Sequence, residues 1–506
     1  MRPHIVALID DYLRRFGDRP RAVDATGEWT GNQLSERARR LAGGLRAHGV
    51  GAGDRVAVMM ANSVDVFVGY EAAWRAGAAI TPIMPALVAS EVAHILGSAQ
   101  PAAVLTSGRA TATVAAARQQ VGGEFVLVGE PDAGGDVAWA DVESAPPLPA
   151  VGAQRGDDLA ALLFTGGTTG RSKGVMLSHE GLMTTVRTAA TGIDPVDGDV
   201  SLVTLPLSHG FGIVVYLVSF LDHLQFVVHE RFDPARFVAA VAEAGVTTTD
   251  AVPAMLQALL DSGHANDPAL RNLRSVYVGG SYCPPDLMEA FEADTGARVY
   301  EGYGMTESGA LIAGDVPGRP HRRGTVGRPY EGVEVRVVDP DGADVGTDEV
   351  GEIIARSAAM MVGYWRDPVA TAEAVRDGWL YTGDLGSLDA DGYLAIRGRR
   401  KELIIRNGFN VYPTDLENVI RECRGVTDVC VVGIPDRALG ERVVAAVIGE
   451  ADTAEIVARC ADRIGPYKRP DDVVVVAEIP LTRVGKPDRA TLAAMLSRSL
   501  ARTGGR

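Results

Sequence analysis

The chain has 506 residues, 46% hydrophobic and 23% charged, an ordinary globular balance that excludes wholesale disorder. That length allows about three domains of roughly 100–200 residues, or one large unit with a small one. Asp and Glu total 65 against 49 Lys and Arg, a net charge of −16 that disfavours a nucleic-acid binder, because neutralising phosphates needs a cationic surplus.

Val6, Ile9, Leu13 and Phe16 recur at helical spacing, so the first predicted element is an amphipathic helix. Asp10 and Asp11 interrupt the apolar run that a signal peptide needs. Arg55–Met60 reads as a strand and Val64–Arg75 as a helix ending near Gly77. Ala102–Thr106, Phe125–Val128 and Leu159–Phe164 read as further strands. This rhythm predicts an α/β fold of layered sheets with buried, largely parallel strands. Gly134–Pro149 and Pro317–Gly327 read as loops. The longest apolar stretch, Ile213–Leu221, is too short to span a bilayer. Cys283, Cys423, Cys430 and Cys460 form no C-x-x-C, and the nine histidines add no zinc-site spacing. Reduced thiols and a cytoplasmic location are expected.

Near residue 400 the texture changes. Asp389-Ala390-Asp391-Gly392 is a hairpin signal, followed by the charged block Arg397–Glu402. Strands at Leu403–Arg406, Asp428–Gly433, Val443–Ile448 and Asp472–Val476 are expected with helices at Pro413–Arg424 and Thr453–Ile464. The expected organisation is an N-terminal unit, 1–400, and a small mobile C-terminal α+β domain, 401–506, with its boundary at Lys401.

The most informative segment runs Thr165-Gly166-Gly167-Thr168-Thr169-Gly170-Arg171-Ser172-Lys173-Gly174 after a strand. Glycines let backbone N–H groups turn inward, hydroxyls add donors and Lys173 adds charge, a combination suited to polyphosphate. Gly174 stands where a Walker A loop needs Ser or Thr, which disfavours a P-loop enzyme. Further on lie Tyr300-Glu301-Gly302-Tyr303-Gly304-Met305-Thr306-Glu307, Tyr381-Thr382-Gly383-Asp384, Gly398-Arg399-Arg400-Lys401-Glu402 with Gly408, Asn410, Tyr412 and Pro413, and Gly485-Lys486. These five motifs, in this order, resemble the signatures of the adenylate-forming superfamily, which contains acyl-CoA synthetases, stand-alone adenylating enzymes and luciferases.

The resemblance implies ATP-dependent conversion of a carboxylic acid to acyl-AMP, then thioester formation with coenzyme A, with Mg²⁺ as a cofactor. Loading of an acyl carrier protein is the alternative. It implies nucleotide contacts from Thr165, Gly167, Thr168, Thr169, Gly170, Lys173, Gly280, Ser281, Gly302, Tyr303 and Gly304. Glu307 is an anionic ligand suited to Mg²⁺, and Thr306 can donate to the α-phosphate. Asp384 is a carboxylate on a turn after Gly383, placed to accept ribose hydroxyls, and Arg399 suits ribose or phosphate. Lys486 would offset the repulsion between the substrate carboxylate and the α-phosphate. His209 would gate the acyl site. Rotation at the hinge Lys401 would replace Lys486 by the loop of Gly408, whose lack of a Cβ lets pantetheine pass the backbone.

By the same resemblance the acyl pocket draws on His209–Gly212, Asp250–Pro253, Gly279–Cys283 and Gly302–Ala310. Gly210, Phe211, Asp250, Gly280, Gly304, Gly309 and Ala310 are its expected lining. Small walls imply a medium to bulky, mainly apolar acid. With no Lys or Arg in these segments, a second carboxylate would lack a partner. Asp250 is the anomaly. An unpaired buried carboxylate is costly, so Asp250 needs a partner: a polar group on the substrate, or neighbouring backbone or an Arg outside the pocket.

Overall fold

The computed structural model describes residues 4–148, 154–165, 172–193, 196–281, 283–407, 409–436, 439–482 and 486–503. Two compact units emerge, Met1–Val335 with Ala355–Leu380, and Arg336–Ile354 with Tyr381–Arg506. Lys401 lies inside the second unit, because Leu394–Arg399 pairs with Trp379–Leu388 and keeps the preceding hairpin with the C-terminal residues. Contact density and pivoting are different properties, so the hinge role of Lys401 stands as a proposal.

Among its described residues the first unit holds two large sheets. One runs, edge to edge, Arg328–Pro329, Ala313–Gly314, Arg298–Tyr303, Ser275–Gly279, Thr248–Ala251, Asp199–Val203, Leu224–Val228, Pro20–Asp24 and Gly27–Thr30. Its six central neighbours, from Arg298–Tyr303 to Pro20–Asp24, pair in parallel. The other runs Gly363–Tyr364, Lys173–Ser178, Leu159–Thr165, Ala79–Pro82, Arg55–Met59, Ala103–Thr106 and Val126–Val128. Both sheets are mainly parallel, with antiparallel pairing at both edges of the first and at the Gly363–Tyr364 edge of the second, as the β-then-α rhythm predicts.

Helices fill the layers. Ile5–Phe16 buries Ile5, Val6, Ile9 and Tyr12. Gly31–Ala47 starts with a capping box between Thr30 and Gln33. Val64–Ala76 is buried at every residue but Asp65 and stops at Gly77, which adopts φ 85°. Within the expected loop 134–149 the chain forms a short helix, Trp139–Glu143. It fits because Gly44 has no side chain: a Cβ there would lie 2.1 Å from the Val142 carbonyl oxygen.

In the second unit, Gly440–Gly449 pairs with Val426–Asp436, Asp472–Val475 and Ile404–Arg406, and Phe409–Val411 adds an edge. The helices Pro413–Arg421 and Thr453–Arg463 pack their Leu416, Ile420, Ile456 and Cys460 into one core cluster. A third helix, Arg489–Thr503, places Leu492 and Leu496 in another. Cys283, Cys423, Cys430 and Cys460 are buried free thiols. No described helix is long and apolar enough to cross a membrane.

Candidate active site

The first unit encloses a cavity of about 190 Å³ between the nine-stranded sheet and the helix Gly210–Val218. Strand residues alternate between faces. Thr249 bonds the Leu202 carbonyl through its hydroxyl, while Thr248 and Asp250 on either side line the cavity. The floor continues across the sheet, with Asp250 beside Tyr277 and Tyr277 beside Tyr300. The two tyrosine rings stack with centroids 5.4 Å apart. The facing wall is apolar. Phe211, Val214, Val215 and Val218 line it at i, i+3, i+4 and i+7, the spacing of one helix face.

One stretch of the lining is built from turns. His209 caps the Gly210–Val218 helix, its Nδ1 accepting from the Phe211 amide at 3.3 Å. Gly280 has φ 83°. Gly304 is obligatory, because a Cβ there would fall 2.0 Å from the Ala310 carbonyl oxygen. Thr306 opens the one-turn helix Thr306–Ser308 and lines the cavity. Glu307 beside it is buried, and its Oε1 accepts from the Tyr364 hydroxyl at 2.9 Å. Its Oε2 takes no hydrogen bond among the described residues. Lys173 Nζ stands 4.8 Å from the Tyr364 ring centroid. Burial, and after it the charge and hydrogen bond of Glu307, push the Tyr364 hydroxyl well above its ordinary pKa.

The expected pocket residues His209, Gly210, Phe211, Asp250, Gly280, Gly302, Gly304, Thr306 and Ala310 all line the cavity. Gly309 does not: it is buried behind the turn, its carbonyl accepts from Thr185, and a Cβ would meet Ala359 and Thr185 at 2.6 Å. Ser281 and Tyr303 lie outside the lining as well. Thr165 and Lys173 are cross-strand partners at the two ends of the glycine-rich loop. Gly167, Thr168, Thr169 and Gly170 within that loop lie outside the described residues, as does Gly408.

Asp250 has no hydrogen-bond or ion-pair partner among the described residues, and burial alone pushes its carboxyl up to about 7. Neither the neighbouring backbone nor an outside arginine takes its side chain. Arg274 does reach the cavity from outside the expected segments, but it pairs with Asp199 at 2.7 Å. Glu301, also in the lining, is pushed up to about 8, mainly by burial and further by Asp315, against the Cys283 amide that donates to it. His179 begins a helix, is buried, and is held down at about 4 mainly by burial, in keeping with a structural role.

In the second unit Asp384 sits within the strand Trp379–Leu388, not on a turn; Gly383 bends that strand with φ 72°. Opposite it in register is Arg399, whose Nε lies 3.0 Å from Asp384 Oδ1. Glu352 bonds the Gly383 amide and Arg400, fixing this stretch. Lys486 reaches solvent, yet surrounding protein and Arg399 hold its pKa below the usual lysine value, with Asp384 and Glu402 opposing. Asp384, Arg399 and Lys486 therefore share one electrostatic neighbourhood. The Thr482 amide donates to the Lys486 carbonyl at 2.7 Å.

Sequence reasoning overlooked Tyr364, Arg274, Glu352 and the stacked tyrosines. Tyr277 did leave a signal: it stands between Val276 and Val278 at strand period, which marks a face turned toward something other than core.

The family model of the AMP-binding enzyme matches residues 9–365, and that of the AMP-binding enzyme C-terminal domain matches 415–486. A feruloyl-CoA synthase of Amycolatopsis sp is 35% identical over 463 residues, 90% of this chain and 91% of that protein. A sulfoacetate–CoA ligase of Cupriavidus necator is 34% identical over 500 residues, 96% of this chain and 97% of that one. The crystal structure of ATP-bound MatB from Rhodopseudomonas palustris superposes with a TM-score of 0.89 at 31% identity, covering 97% of this chain and 99% of that one. The chain belongs to the AMP-binding, adenylate-forming enzyme family. Within it, this protein is an acid–thiol ligase that uses ATP and Mg²⁺ to form an acyl-AMP and passes the acyl group to coenzyme A. The feruloyl-CoA synthase and the sulfoacetate–CoA ligase both use CoA by name, which disfavours loading of a carrier protein.

Proposed function

We propose that the cavity of the first unit holds the acid, with its carboxylate at the edge formed by Gly280, Gly302, Gly304 and Thr306. Thr306 carries this reading: it lines the cavity, while Glu307 in the same turn meets Tyr364 and, through that ring, Lys173. An acid there is delivered beside groups suited to phosphate. Lys173, Thr165 and the loop Gly167, Thr168, Thr169 and Gly170 hold the polyphosphate, and Thr306 donates to the α-phosphate. Gly280, Ser281, Gly302, Tyr303 and Gly304 contact the nucleotide.

Glu307 fits Mg²⁺, which takes one or two carboxylates and keeps phosphate and water as its other ligands; bound, it offsets phosphate charge. Asp384 accepts the ribose hydroxyls and Arg399 flanks it. Lys486 supplies the cation that two approaching anions need, and its lowered pKa reflects the crowding it already tolerates. His209 gates the acid's entry. Lys401 is the pivot that exchanges Lys486 for the loop of Gly408 between the two half-reactions.

The relatives are named for acids as different as feruloyl and sulfoacetate, so acid choice is read from this cavity. An apolar cavity of about 150 Å³ accepts a benzene ring. A space of about 190 Å³ therefore suits a substituted aryl acid or one of similar bulk better than a long fatty chain. Pyrophosphate release over an acid panel, with and without CoA, tests this. Aryl and medium acids are expected to lead; a maximum at long-chain acids would overturn the size argument.

A further inference from the structure

The acyl cavity has two unlike sides. Its helix side is apolar, with Phe211, Val214, Val215 and Val218. Its sheet side carries polar atoms from Ser201, Thr248, Asp250, Tyr277 and Tyr300. Asp250 stands out among these. Ser275, a neighbour in register with Thr248, is satisfied by the Thr248 hydroxyl at 3.1 Å, and Asp199 is satisfied by Arg274. Asp250 alone of the carboxylates on this floor finds no protein partner among the described residues, and it lines the cavity.

We propose that Asp250 recognises a hydrogen-bond donor, a hydroxyl or amino group, on the acid itself, making this ligase selective for compact hydroxy or amino acids of aryl size over their plain counterparts. The inference rests on the reading above that the carboxylate lies at the glycine edge. Register then fixes where the donor must be. Gly279 pairs with Gly302 at that edge, and Asp250 is level with Tyr277 and Tyr300, two residues back along the strands. At about 3.3 Å per residue, Asp250 lies about 7 Å from that edge along the strands and one strand spacing, about 5 Å, across them from Gly279. A hydroxyl or amino group opposite the carboxylate of an aromatic ring falls at that reach.

The carboxylate works by penalty as well as by attraction. A plain acid takes the water away from Asp250 and returns nothing, and sites built to bond a polar group reject analogues lacking it by large factors. The raised carboxyl pKa adds versatility, since the protonated form can donate to a phenolic oxygen and the ionised form can accept from an amine.

The test compares kcat/KM for acyl-CoA formation with matched acids: 4-hydroxybenzoate and 4-aminobenzoate against benzoate and 4-methylbenzoate, and 4-hydroxycinnamate against cinnamate. Wild type is expected to favour the donor-bearing member by about 100-fold or more. Asp250→Leu should remove or invert that ratio, by raising the plain acids as well as lowering the others. Asp250→Asn, nearly isosteric, should retain part of it and guards against a folding defect in the Leu variant. A donor-to-plain ratio unchanged in both variants, with acyl-CoA still formed, overturns the role of Asp250 and leaves the ligase reading intact. Absence of acyl-CoA from every acid, in wild type and variants alike, overturns the size and placement of the acid, and this inference with it.

Discussion

At the scale of single residues, the proposed site combines groups that gain from their neighbours with groups that do not. Asp384 is buried and held by Arg399, so its carboxylate is already fixed for the ribose contact proposed for it. Hydrogen bonds to a charged group contribute roughly 1.5–3 kcal/mol each. Asp384→Ala should therefore weaken ATP binding by more than about tenfold, read by isothermal titration, while the melting temperature moves little. Lys486 differs: in the role proposed for it, its charge matters only while carboxylate and phosphate approach. Lys486→Ala should lower acyl-AMP formation by about 100-fold or more, the usual cost of losing one transition-state donor, yet spare thioester formation from supplied acyl-AMP. Equal loss in both half-reactions would contradict the exchange at Lys401. Asp250 costs stability in the empty enzyme. Its folded pKa of about 7 lies above the unfolded value of about 3.9, so the native state holds the extra proton between those values. Its contribution is greatest below the unfolded pKa and is lost as pH rises through about 7. Asp250→Asn carries no such titration. Its melting temperature should gain on wild type between pH 5 and pH 8 and level off above; a constant difference would place the carboxyl in a solvated setting.

At the scale of elements, strongly periodic segments were legible and context-dependent ones were not. The Ile5–Phe16 and Val64–Ala76 helices, the parallel strands and the Leu388–Leu394 hairpin follow from apolar spacing and turn residues that need no distant partner. The short helix Trp139–Glu143 escapes because it depends on Gly44, almost a hundred residues earlier. The helix Arg489–Thr503 shows only Leu492, Leu496 and Leu500 spaced by four, close behind the Gly485-Lys486 motif. Site residues behaved similarly. Thr306, Gly304 and His209 stand in ordered motifs, whereas Tyr364 and Arg274 reach the site from segments with no local signature. Gly309 misled because a glycine beside a motif looks like free volume, though its own carbonyl is used by Thr185. Gly304 shows the reverse, a glycine whose missing side chain the turn demands. Gly304→Ala puts a Cβ 2.0 Å from the Ala310 oxygen, so the turn carrying Thr306 must move. Overpacking of this kind costs typically about 1–3 kcal/mol. The variant should fold, melt a few degrees lower, and release pyrophosphate at least tenfold more slowly; full activity would mean that the turn does not position the reacting groups.

At the scale of the whole molecule, each unit has a core of its own. The clusters around Trp74, Phe291 and Leu96 belong to the first, those around Val431 and Val432 to the second. The second is small, and a single arginine ties several of its elements together. Arg489 donates to Glu417 at 2.6 Å, to Glu402 at 3.0 Å and to the Val431 carbonyl at 2.7 Å. The Glu417 side chain is only 6% exposed and also accepts from the Val431 amide. Arg489→Ala leaves that carboxylate buried without its cation, a loss of about 3–5 kcal/mol for a broken buried pair. Because the cores are separate, the loss should fall on the second unit alone. Calorimetry of the variant is expected to show a new, lower transition from the second unit while the first unit's transition keeps its temperature. Arg489→Lys, which keeps the charge but not the planar fork, should fall between the two. One transition shifted downward as a whole would show that the units melt as a single cooperative body, and that the contact boundary at Leu380 and Tyr381 has no counterpart in stability.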